Sequence, residues 1–281
     1  MGIYVRPTVL SDALACRAAG ADILAGGTDF WPVRVGQTAY ASAGSSLLDL
    51  SQLSDLRGIT TSDAGLRIGA LTTWTELAET QLPSALVALQ IAAREVGGRQ
   101  IQNRGTIGGN LCNASPAADG VPPLLALDAS VELSSATSVR TMLLSEFLIA
   151  PRRTKLQSNE LLTAVLVPSP QRAARSHFIK LGARKYQLIS IVMGAAVLSV
   201  KDGVVTQAAI AVGSCSPVAQ RLHKLERALQ GVAGHAVASL VTAQHLVDLS
   251  PIDDIRADAA YRAETALVVV HRLLAHLAGD A

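Results

Sequence analysis

Two glycine-rich turns constrain this chain most, because each interrupts a segment that otherwise has the pattern of a strand or of buried apolar packing. They are Ala25-Gly26-Gly27-Thr28-Asp29 and Thr106-Ile107-Gly108-Gly109-Asn110. A glycine pair followed by a hydroxyl or amide residue leaves backbone N–H groups uncovered, since no Cβ blocks a ligand. Successive uncovered amides form an anion site, and two such sites suit a diphosphate on a long polar molecule. The alternative is that each glycine pair only supplies a turn between core elements.

The surroundings of the second turn favour a ligand. Neither turn has the spacing of the common nucleotide motifs G-x-G-x-x-G and G-x-x-x-x-G-K-[ST]. The second turn, however, leads into a run of small and polar residues, 111–119, in an otherwise apolar chain. Small side chains let the backbone approach a large flat ligand, and Asn110, Ser115 and Asp119 offer hydrogen bonds to hydroxyls or to a heterocycle. The sequence therefore predicts a phosphorylated ligand.

Several segments, in this order, resemble the FAD-binding (medium) subunit of the molybdenum hydroxylases, the family of xanthine dehydrogenase and carbon monoxide dehydrogenase. The resemblance lies in Leu24-Ala25-Gly26-Gly27-Thr28-Asp29, in Thr106-Ile107-Gly108-Gly109-Asn110-Leu111 and in Ser115-Pro116-Ala117-Ala118-Asp119. It extends through 66–74, 99–105 and 178–185. Two ordered motifs at this separation are far more specific than either glycine pair alone.

The resemblance implies an α+β fold in two parts. Residues 1–170 are expected to form a PCMH-type FAD-binding domain made of two α/β subdomains. Residues 171–281 are expected to form a C-terminal domain with a three-stranded antiparallel sheet and three helices, similar to that of carbon monoxide dehydrogenase flavoproteins. The local pattern agrees, because the alternation of short strands and helices changes after Pro168-Ser169-Pro170.

The local pattern also places individual elements. In the first part it predicts a helix near 11–19, a strand near 23–25 and a helix over 83–96 that stops at Gly97-Gly98. In the second part it predicts strands over 189–200 and 204–212, joined by the hairpin turn Lys201-Asp202-Gly203. Helices are predicted from Ser216 to Gly231, from about His235 and from about Arg256, the last with apolar residues at helical spacing over 259–277.

The cofactor implied by the resemblance is FAD. The residues that match the family's binding positions are Leu24, Ala25, Gly26, Gly27, Thr28, Asp29, Phe30, Thr106, Ile107, Gly108, Gly109, Asn110, Asp119, Leu162 and Lys180. The two turns would hold the diphosphate from facing sides. Leu162 would contact the adenine end and Lys180 would reach the flavin, whereas an ordinary core leucine and a solvated lysine are the alternatives. No catalytic residue and no metal ligand is predicted.

Composition excludes other classes of function. Hydrophobic residues make up 49% of the chain, which argues against disorder. A net charge of +2 and 3% aromatic residues offer little to a nucleic acid. Cys16, Cys112 and Cys215 lie far apart, so no iron–sulfur or zinc framework is visible, and the six histidines show no metal-ligand grouping. The start of the sequence lacks an apolar signal segment and no run is long enough to span a bilayer, so a cytoplasmic protein is expected.

The resemblance implies electron transfer within a larger enzyme. A large molybdopterin-binding subunit would oxidise the substrate, and a small [2Fe-2S] subunit would pass electrons to FAD on this chain, in a heterotrimer or a dimer of heterotrimers. FAD would then reduce NAD, oxygen or another acceptor. The substrate stays open among xanthine, aldehydes, N-heterocycles and carbon monoxide.

Two alternatives belong to other classes of protein. One is a stand-alone flavin-dependent oxidase of the PCMH-type fold, although no His, Tyr or Asp grouping indicates the base that it would need. The other is a non-enzymatic scaffold that binds no nucleotide.

The sequence departs from some relatives beside the redox edge of the flavin. Where those relatives carry acidic residues, this chain has Tyr186-Gln187-Leu188. A neutral edge changes the local electric field, so we expect Tyr186 or Gln187 to border the ring and to influence the choice of acceptor.

Overall fold

The structure, a computed structural model, describes residues 3–34, 46–169, 174–184 and 189–279. The described strands are β1 (Tyr4–Val5), β2 (Asp22–Leu24), β3 (Leu47–Asp49), β4 (Ile59–Ser62), β5 (Gly65–Gly69), β6 (Ser130–Ser134), β7 (Val139–Leu143), β8 (Leu148–Ala150), β9 (Arg153–Thr154), β10 (Leu161–Pro168), β11 (Ala174–Leu181), β12 (Val192–Lys201), β13 (Val204–Gly213) and β14 (Gln220–Arg221). The described α-helices are α1 (Leu10–Ala18), α2 (Trp74–Glu79), α3 (Val87–Glu95), α4 (Arg99–Gln102), α5 (Ile107–Asn113), α6 (Val121–Ala126), α7 (Leu144–Phe147), α8 (His223–Leu229) and α9 (Ala259–Gly279). The mixed α/β architecture agrees with the predicted fold class.

A small parallel sheet positions the first glycine turn. Its described strands lie in the order β1-β3-β2, and both pairings are parallel. Helix α1 follows β1 and buries Ala13 and Leu14 in a core shared with Leu48 of the central strand. The first glycine turn begins directly after β2, at the carboxyl edge of this sheet.

An antiparallel sheet packs against the helix that the second glycine turn opens. Its described strands lie in the order β4-β5-β10-β6-β7, with β10 between β5 and β6. Strand β10 reads Leu-Leu-Thr-Ala-Val-Leu-Val-Pro and is buried along most of its length, as expected for a strand covered on both faces. The turn that follows β5 leads into α2, and it contacts the start of α5 through an antiparallel bridge between Thr73 and Thr106.

A second antiparallel sheet joins the two parts of the chain. Its described strands lie in the order β11-β12-β13-β14. Side chains alternate between the faces of a strand, and both faces of β12 are covered. Met193, Ala195 and Val197 belong to the core that also contains α3 and α6, whereas Ala196 and Leu198 belong to the core under α8 and α9. The near-continuous apolar run of β12 follows from this double burial.

Most elements lie where the sequence places them. The predicted helix over 83–96 consists of a 3-10 turn at Ser84–Leu86 followed by α3, and Gly97 ends it with φ +55°. The predicted hairpin turn at Asp202 and Gly203 has φ values of 53° and 76°, as a two-residue turn of type I′ requires.

The C-terminal part differs from the prediction in two places. The helix expected from Ser216 begins only at His223, because residues 220–221 first pair with β13 as a fourth, two-residue strand. The helix expected near His235 is a set of short 3-10 turns, at Gly234–Ala236, Ala238–Leu240 and Ala243–Leu246. The last of these turns starts at a capping box between Thr242 and His245, which interrupts a continuous helix.

Two further findings concern the described residues as a whole. No helix among them is both long and apolar enough to cross a bilayer. In the same part of the chain, no three His, Cys, Asp or Glu side chains come together as a metal site.

Candidate functional site

The two glycine turns lie on either side of one cavity. Its volume is about 590 Å³, within the usual range for sites that hold a cofactor. Most of the predicted residues line it: Gly26, Gly27, Thr28, Asp29, Phe30, Thr106, Gly108, Gly109, Asn110, Asp119 and Leu162. The fold therefore brings together residues that are more than 130 positions apart in the sequence.

Gly26 lets the two turns approach each other closely. A Cβ added to Gly26 would lie 2.1 Å from the carbonyl oxygen of Arg104, far inside van der Waals contact. The neighbouring atom belongs to the backbone, so a rotamer change cannot relieve the clash. Gly26 is thus required for the packing between the two turns, independently of any role in ligand binding.

The first turn carries unused backbone donors. Within the described residues, the N–H groups of Gly26, Gly27, Thr28 and Asp29 donate no hydrogen bond to the protein. All four residues line the cavity. A run of successive free N–H groups is the arrangement that binds phosphate oxygens. This turn matches the expectation from the sequence.

The second turn does not offer such donors, which corrects the expectation of a matching amide site there. Its N–H groups are used inside the protein, in hydrogen bonds from Ile107 N to Thr72 O (3.0 Å), from Gly108 N to Ala70 O (2.8 Å), from Gly109 N to Thr106 Oγ1 (3.1 Å) and from Asn110 N to Thr106 O (3.0 Å). The physical reason is that the turn opens helix α5. The first N–H groups of a helix lack partners within the helix, and here the N-cap Thr106 and the segment before α2 provide them.

The second turn contributes space and a side chain instead. A Cβ on Gly109 would meet Thr106 Oγ1 at 2.9 Å and Ala25 Cβ at 3.9 Å, so the rest of its environment is open cavity. The side-chain oxygen Oδ1 of Asn110 is buried and has no hydrogen-bond partner among the described residues. A buried acceptor without a partner destabilises a protein. It is therefore typical of a site that a polar ligand completes.

A buried charged cluster forms another part of the wall. Lys180 Nζ donates to Asp119 Oδ2 (2.6 Å) and to the carbonyl oxygen of Glu95 (2.9 Å), and Ser190 Oγ donates to Asp119 Oδ1 (2.6 Å). Burial raises the pKa of the Asp119 carboxyl, while the charge of Lys180 and the two side-chain hydrogen bonds oppose that rise. Asp119 lines the cavity, whereas Lys180 lies behind it.

Four predicted residues do not line this cavity. Leu24 is buried, Ile107 belongs to the hydrophobic core that contains α3 and α6, and Lys180 bonds to Asp119 as described. Ala25 lies against the core under α1 and borders a small neighbouring cleft. Tyr186 and Gln187 lie outside the described residues.

Other lining residues have no signal in the sequence. Arg152 lines the cavity, with an unusual positive φ of 61°, and it donates to the side chain of Asn113. Its nearest neighbours in sequence belong to no recognisable motif. Cys112 also lines the cavity, and burial raises the pKa of its thiol to about 12, so the thiol stays protonated at neutral pH.

A second cavity adjoins the first. Its volume is about 720 Å³, and three residues, Gly97, Ile101 and Ile189, line both cavities. Arg184 and Arg256 line the second cavity and not the first. The main cavity is therefore approached at this end from a wider opening between the two parts of the chain.

These features fit FAD. The N–H groups of the first turn, which have no acceptor among the described residues, suit its diphosphate. Gly109 has no side chain and leaves room for a bulky ligand. The buried Asn110 Oδ1 can accept a hydrogen bond from the cofactor. The ribityl hydroxyls, the ribose and both ring systems of FAD carry such donors.

Comparisons with known proteins point to the same cofactor. The FAD binding domain in molybdopterin dehydrogenase matches residues 1–170, and the C-terminal domain of the CO dehydrogenase flavoprotein matches residues 177–277. The xanthine dehydrogenase FAD-binding subunit of Escherichia coli O157:H7 is 32% identical over 265 residues, 92% of this chain and 90% of the relative. Caffeine dehydrogenase subunit beta of Pseudomonas sp. strain CBB1 is 31% identical, over 98% of this chain and 94% of the relative.

A solved structure matches along the whole chain. Carbon monoxide dehydrogenase from Hydrogenophaga pseudoflava aligns with a TM-score of 0.88 at 28% identity, covering 99% of this chain and 97% of the matched one. The similarity thus extends over both parts of the molecule.

Proposed function

This chain belongs to the family of FAD-binding subunits of the molybdenum hydroxylases, and we propose that it relays electrons from an iron–sulfur subunit through FAD to an external acceptor. Its relatives are dehydrogenase subunits, so the chain is the flavoprotein component of an oxidoreductase. The observation that carries the proposal is a row of four N–H groups in the first glycine turn that find no acceptor in the described part of the chain, at the wall of a cavity of cofactor size.

Each part of the cavity has its own role in this proposal. The amides of Gly26–Asp29 bind the diphosphate, with the Thr28 hydroxyl as a further donor. The bare Gly109 leaves room opposite, and Asn110 Oδ1 accepts a hydrogen bond from the cofactor. Asp119 accepts hydrogen bonds at the wall, and Leu162 provides an apolar contact.

Lys180 acts mainly through Asp119. It neutralises the buried carboxylate, which keeps an acceptor at the wall without an uncompensated charge. Phe30, Thr106 and Gly108 complete the lining of the proposed FAD site, and Leu24, Ala25 and Ile107 support the two turns without lining the cavity.

FAD and the protein have separate roles in this proposal. FAD supplies the redox chemistry, since it exchanges electrons both singly and in pairs. The protein binds it, orients it and limits its access to water; we assign no acid–base step to a side chain. The domain boundary near residue 170 belongs to the same proposal, with FAD held mainly by residues 1–170.

The partners and the acceptor are part of the proposal as well. We expect a large molybdopterin-binding subunit and a small [2Fe-2S] subunit, in a heterotrimer or a dimer of heterotrimers in the cytoplasm. The acceptor is NAD, oxygen or another oxidant, and it reaches the flavin through the second cavity.

Purification from the native host tests this function directly. We expect one FAD per chain, together with two co-purifying subunits identified by mass spectrometry, and bleaching of the flavin when the substrate of the complex is added. A colourless chain that takes up no FAD would contradict the cofactor site. A yellow chain that purifies alone and oxidises a substrate by itself would instead support a stand-alone oxidase.

A further inference from the structure

The segment just before β12 is fixed to three different elements. Ile191 N donates to Leu181 O of β11 (2.9 Å), and Arg262 Nη1 of α9 donates to Ile191 O (2.5 Å). The preceding residue, Ser190, reaches into the first part of the chain, where its hydroxyl donates to Asp119 Oδ1 (2.6 Å). Ser190 is therefore anchored through the residue that follows it, because the backbone of Ile191 is bonded to both β11 and α9.

Asp119 and the two side chains that bond to it are buried. The side chains of Lys180 and Asp119 are 4% and 9% exposed, and Ser190 is 2% exposed. Lys180 occupies one carboxylate oxygen and Ser190 the other. A buried carboxylate stays ionised and oriented only as long as such donors surround it. Ser190 supplies the neutral donor, and no charge is lost when its hydroxyl is removed.

The cluster lies at the end of the main cavity that adjoins the second cavity, where the proposed function places the entry of the electron acceptor. Lys180 also bonds to Glu95 O, beside the lining residues Val96 and Gly97, and Ser190 adjoins Ile189. Gly97 and Ile189 line both cavities. A ring that exchanges electrons with an external molecule must lie at the accessible end, so the charge of Asp119 lies near the redox-active part of the cofactor.

Resting on the proposed function, we propose that Ser190 is a positioning residue that holds the Asp119 carboxylate against the cofactor and thereby sets the preference of the site for oxidised over reduced FAD. A reduced ring carries more negative charge than an oxidised one. The carboxylate lines the cavity and its partner Lys180 does not, so the negative end of the pair is nearer to the ring and favours the oxidised form. The charged groups that face Asp119 are Lys180 on β11 and Glu95 at the end of α3.

The test compares Ser190→Ala with a matched control, Ser176→Ala. Ser176 is also a buried serine and lies on β11, but within the described ranges its hydroxyl bonds to backbone atoms only, Ala88 N (2.8 Å) and Ser84 O (3.3 Å). The measurements are the dissociation constants of oxidised and reduced FAD and the flavin reduction potential, each between pH 5 and pH 9. Ser190→Thr keeps the hydroxyl and serves as the conservative variant.

The affinity ratio is the affinity for oxidised FAD divided by the affinity for reduced FAD. We expect Ser190→Ala to lower this ratio about tenfold, which raises the two-electron reduction potential of the flavin by about 30 mV. The shift grows as the pH falls, because the released carboxylate takes up a proton more easily. Ser190→Thr restores the wild-type ratio, and Ser176→Ala lowers stability without moving the ratio.

A second measurement needs no cofactor. In the cofactor-free protein, the loss of unfolding free energy caused by Ser190→Ala shrinks at low pH, where protonation relieves the buried charge. The loss caused by Ser176→Ala is independent of pH.

Failure of the Ser190 inference can be distinguished from failure of the proposed function. If Ser190→Ala matches Ser176→Ala in potential and in both pH profiles, this inference is overturned while the FAD site stands. If the wild-type protein binds no FAD, the proposed function itself falls.

Discussion

The two glycine turns share a Gly-Gly pair followed by a polar residue, but their backbone N–H groups are in opposite states of hydrogen bonding. The first follows a parallel strand, and the N–H groups of Gly26–Asp29 have no acceptor among the described residues. The second opens helix α5, and the N–H groups of residues 107–110 are bonded to the segment before α2 and to the N-cap. A glycine pair shows where backbone lies bare of Cβ atoms. Whether its amides are free depends on residues far away in the sequence.

This difference assigns separate tasks to the turns. The first binds anionic groups through its backbone, while the second provides room and the side chain of Asn110. Substitutions at corresponding positions should therefore have different consequences, and the following predictions run from the largest expected effect to the smallest.

Replacing Gly26 by Ala should affect stability and cofactor together. The new Cβ would lie 2.1 Å from Arg104 O, and only a separation of the two turns relieves that contact. We expect the free energy of unfolding to fall by about 3 kcal/mol, the upper part of the usual range for overpacking, and FAD to be lost. Chemical denaturation and the flavin absorbance of the purified protein measure both effects. A stable variant with full flavin would show that the turns are not packed against each other.

Replacing Gly109 by Val should empty the site but leave the fold largely intact. The branched side chain occupies cavity space, and inside the protein it disturbs mainly the Thr106 hydroxyl at 2.9 Å. Loss of this N-cap hydrogen bond lowers stability by about 1 kcal/mol. Near-native circular dichroism with no bound FAD is the expected result. Retention of one FAD per chain would contradict the assignment of Gly109 to the site.

Replacing Asn110 by Leu should separate stability from binding. The substitution removes a buried acceptor without a partner, so we expect the cofactor-free protein to gain about 1 kcal/mol. FAD should bind about tenfold more weakly, the equivalent of one lost hydrogen bond. Thermal unfolding and flavin fluorescence titration measure the two effects. An unchanged affinity would mean that Asn110 Oδ1 does not meet the cofactor.

Replacing Glu76 by Gln should slightly destabilise the segment before α2 that holds the second turn. Glu76 accepts hydrogen bonds from Thr73 N (2.7 Å) and Thr73 Oγ1 (2.9 Å), next to the carbonyl of Thr72 that receives Ile107 N–H. Burial raises the pKa of Glu76, but the hydrogen bonds from Thr73 and the charge of Arg57 outweigh it and hold the pKa below its usual value.

The pH dependence of this effect has a definite sign. A lowered pKa stabilises the fold above the unfolded value of about 4.3, and the contribution is lost as the pH falls through the folded pKa. Because Glu76 is partly exposed, we expect a loss of only about 0.5 kcal/mol at pH 7 in the variant. The difference from wild type should vanish near pH 3 in urea denaturation. A difference that persists there would exclude a charge effect.

Local sequence patterns predicted much of the fold. Proline and glycine mark α3, Gly97 and the 202–203 hairpin turn, and apolar spacing marks α9, because these signals act over a few residues. The short pairing of 220–221 with β13 carries no such signal. Because of it, α8 begins at His223 and not at the predicted Ser216.

The site was predicted less completely than the fold. Its glycine turns and Asp119 are visible as motifs, whereas Arg152 and Ile189 enter the cavity only through the packing of distant elements. The occupied amides of the second turn depend on the carbonyls of Ala70 and Thr72, and no pattern near residue 106 indicates them.

Hydrogen exchange of individual backbone amides, with and without FAD, tests the central claim most directly. The account predicts that the amides of Gly26–Asp29 exchange rapidly in the cofactor-free protein and become protected when FAD binds, while those of 107–110 are protected in both states. Unchanged exchange in the first turn, or FAD-dependent protection confined to the second, would contradict it.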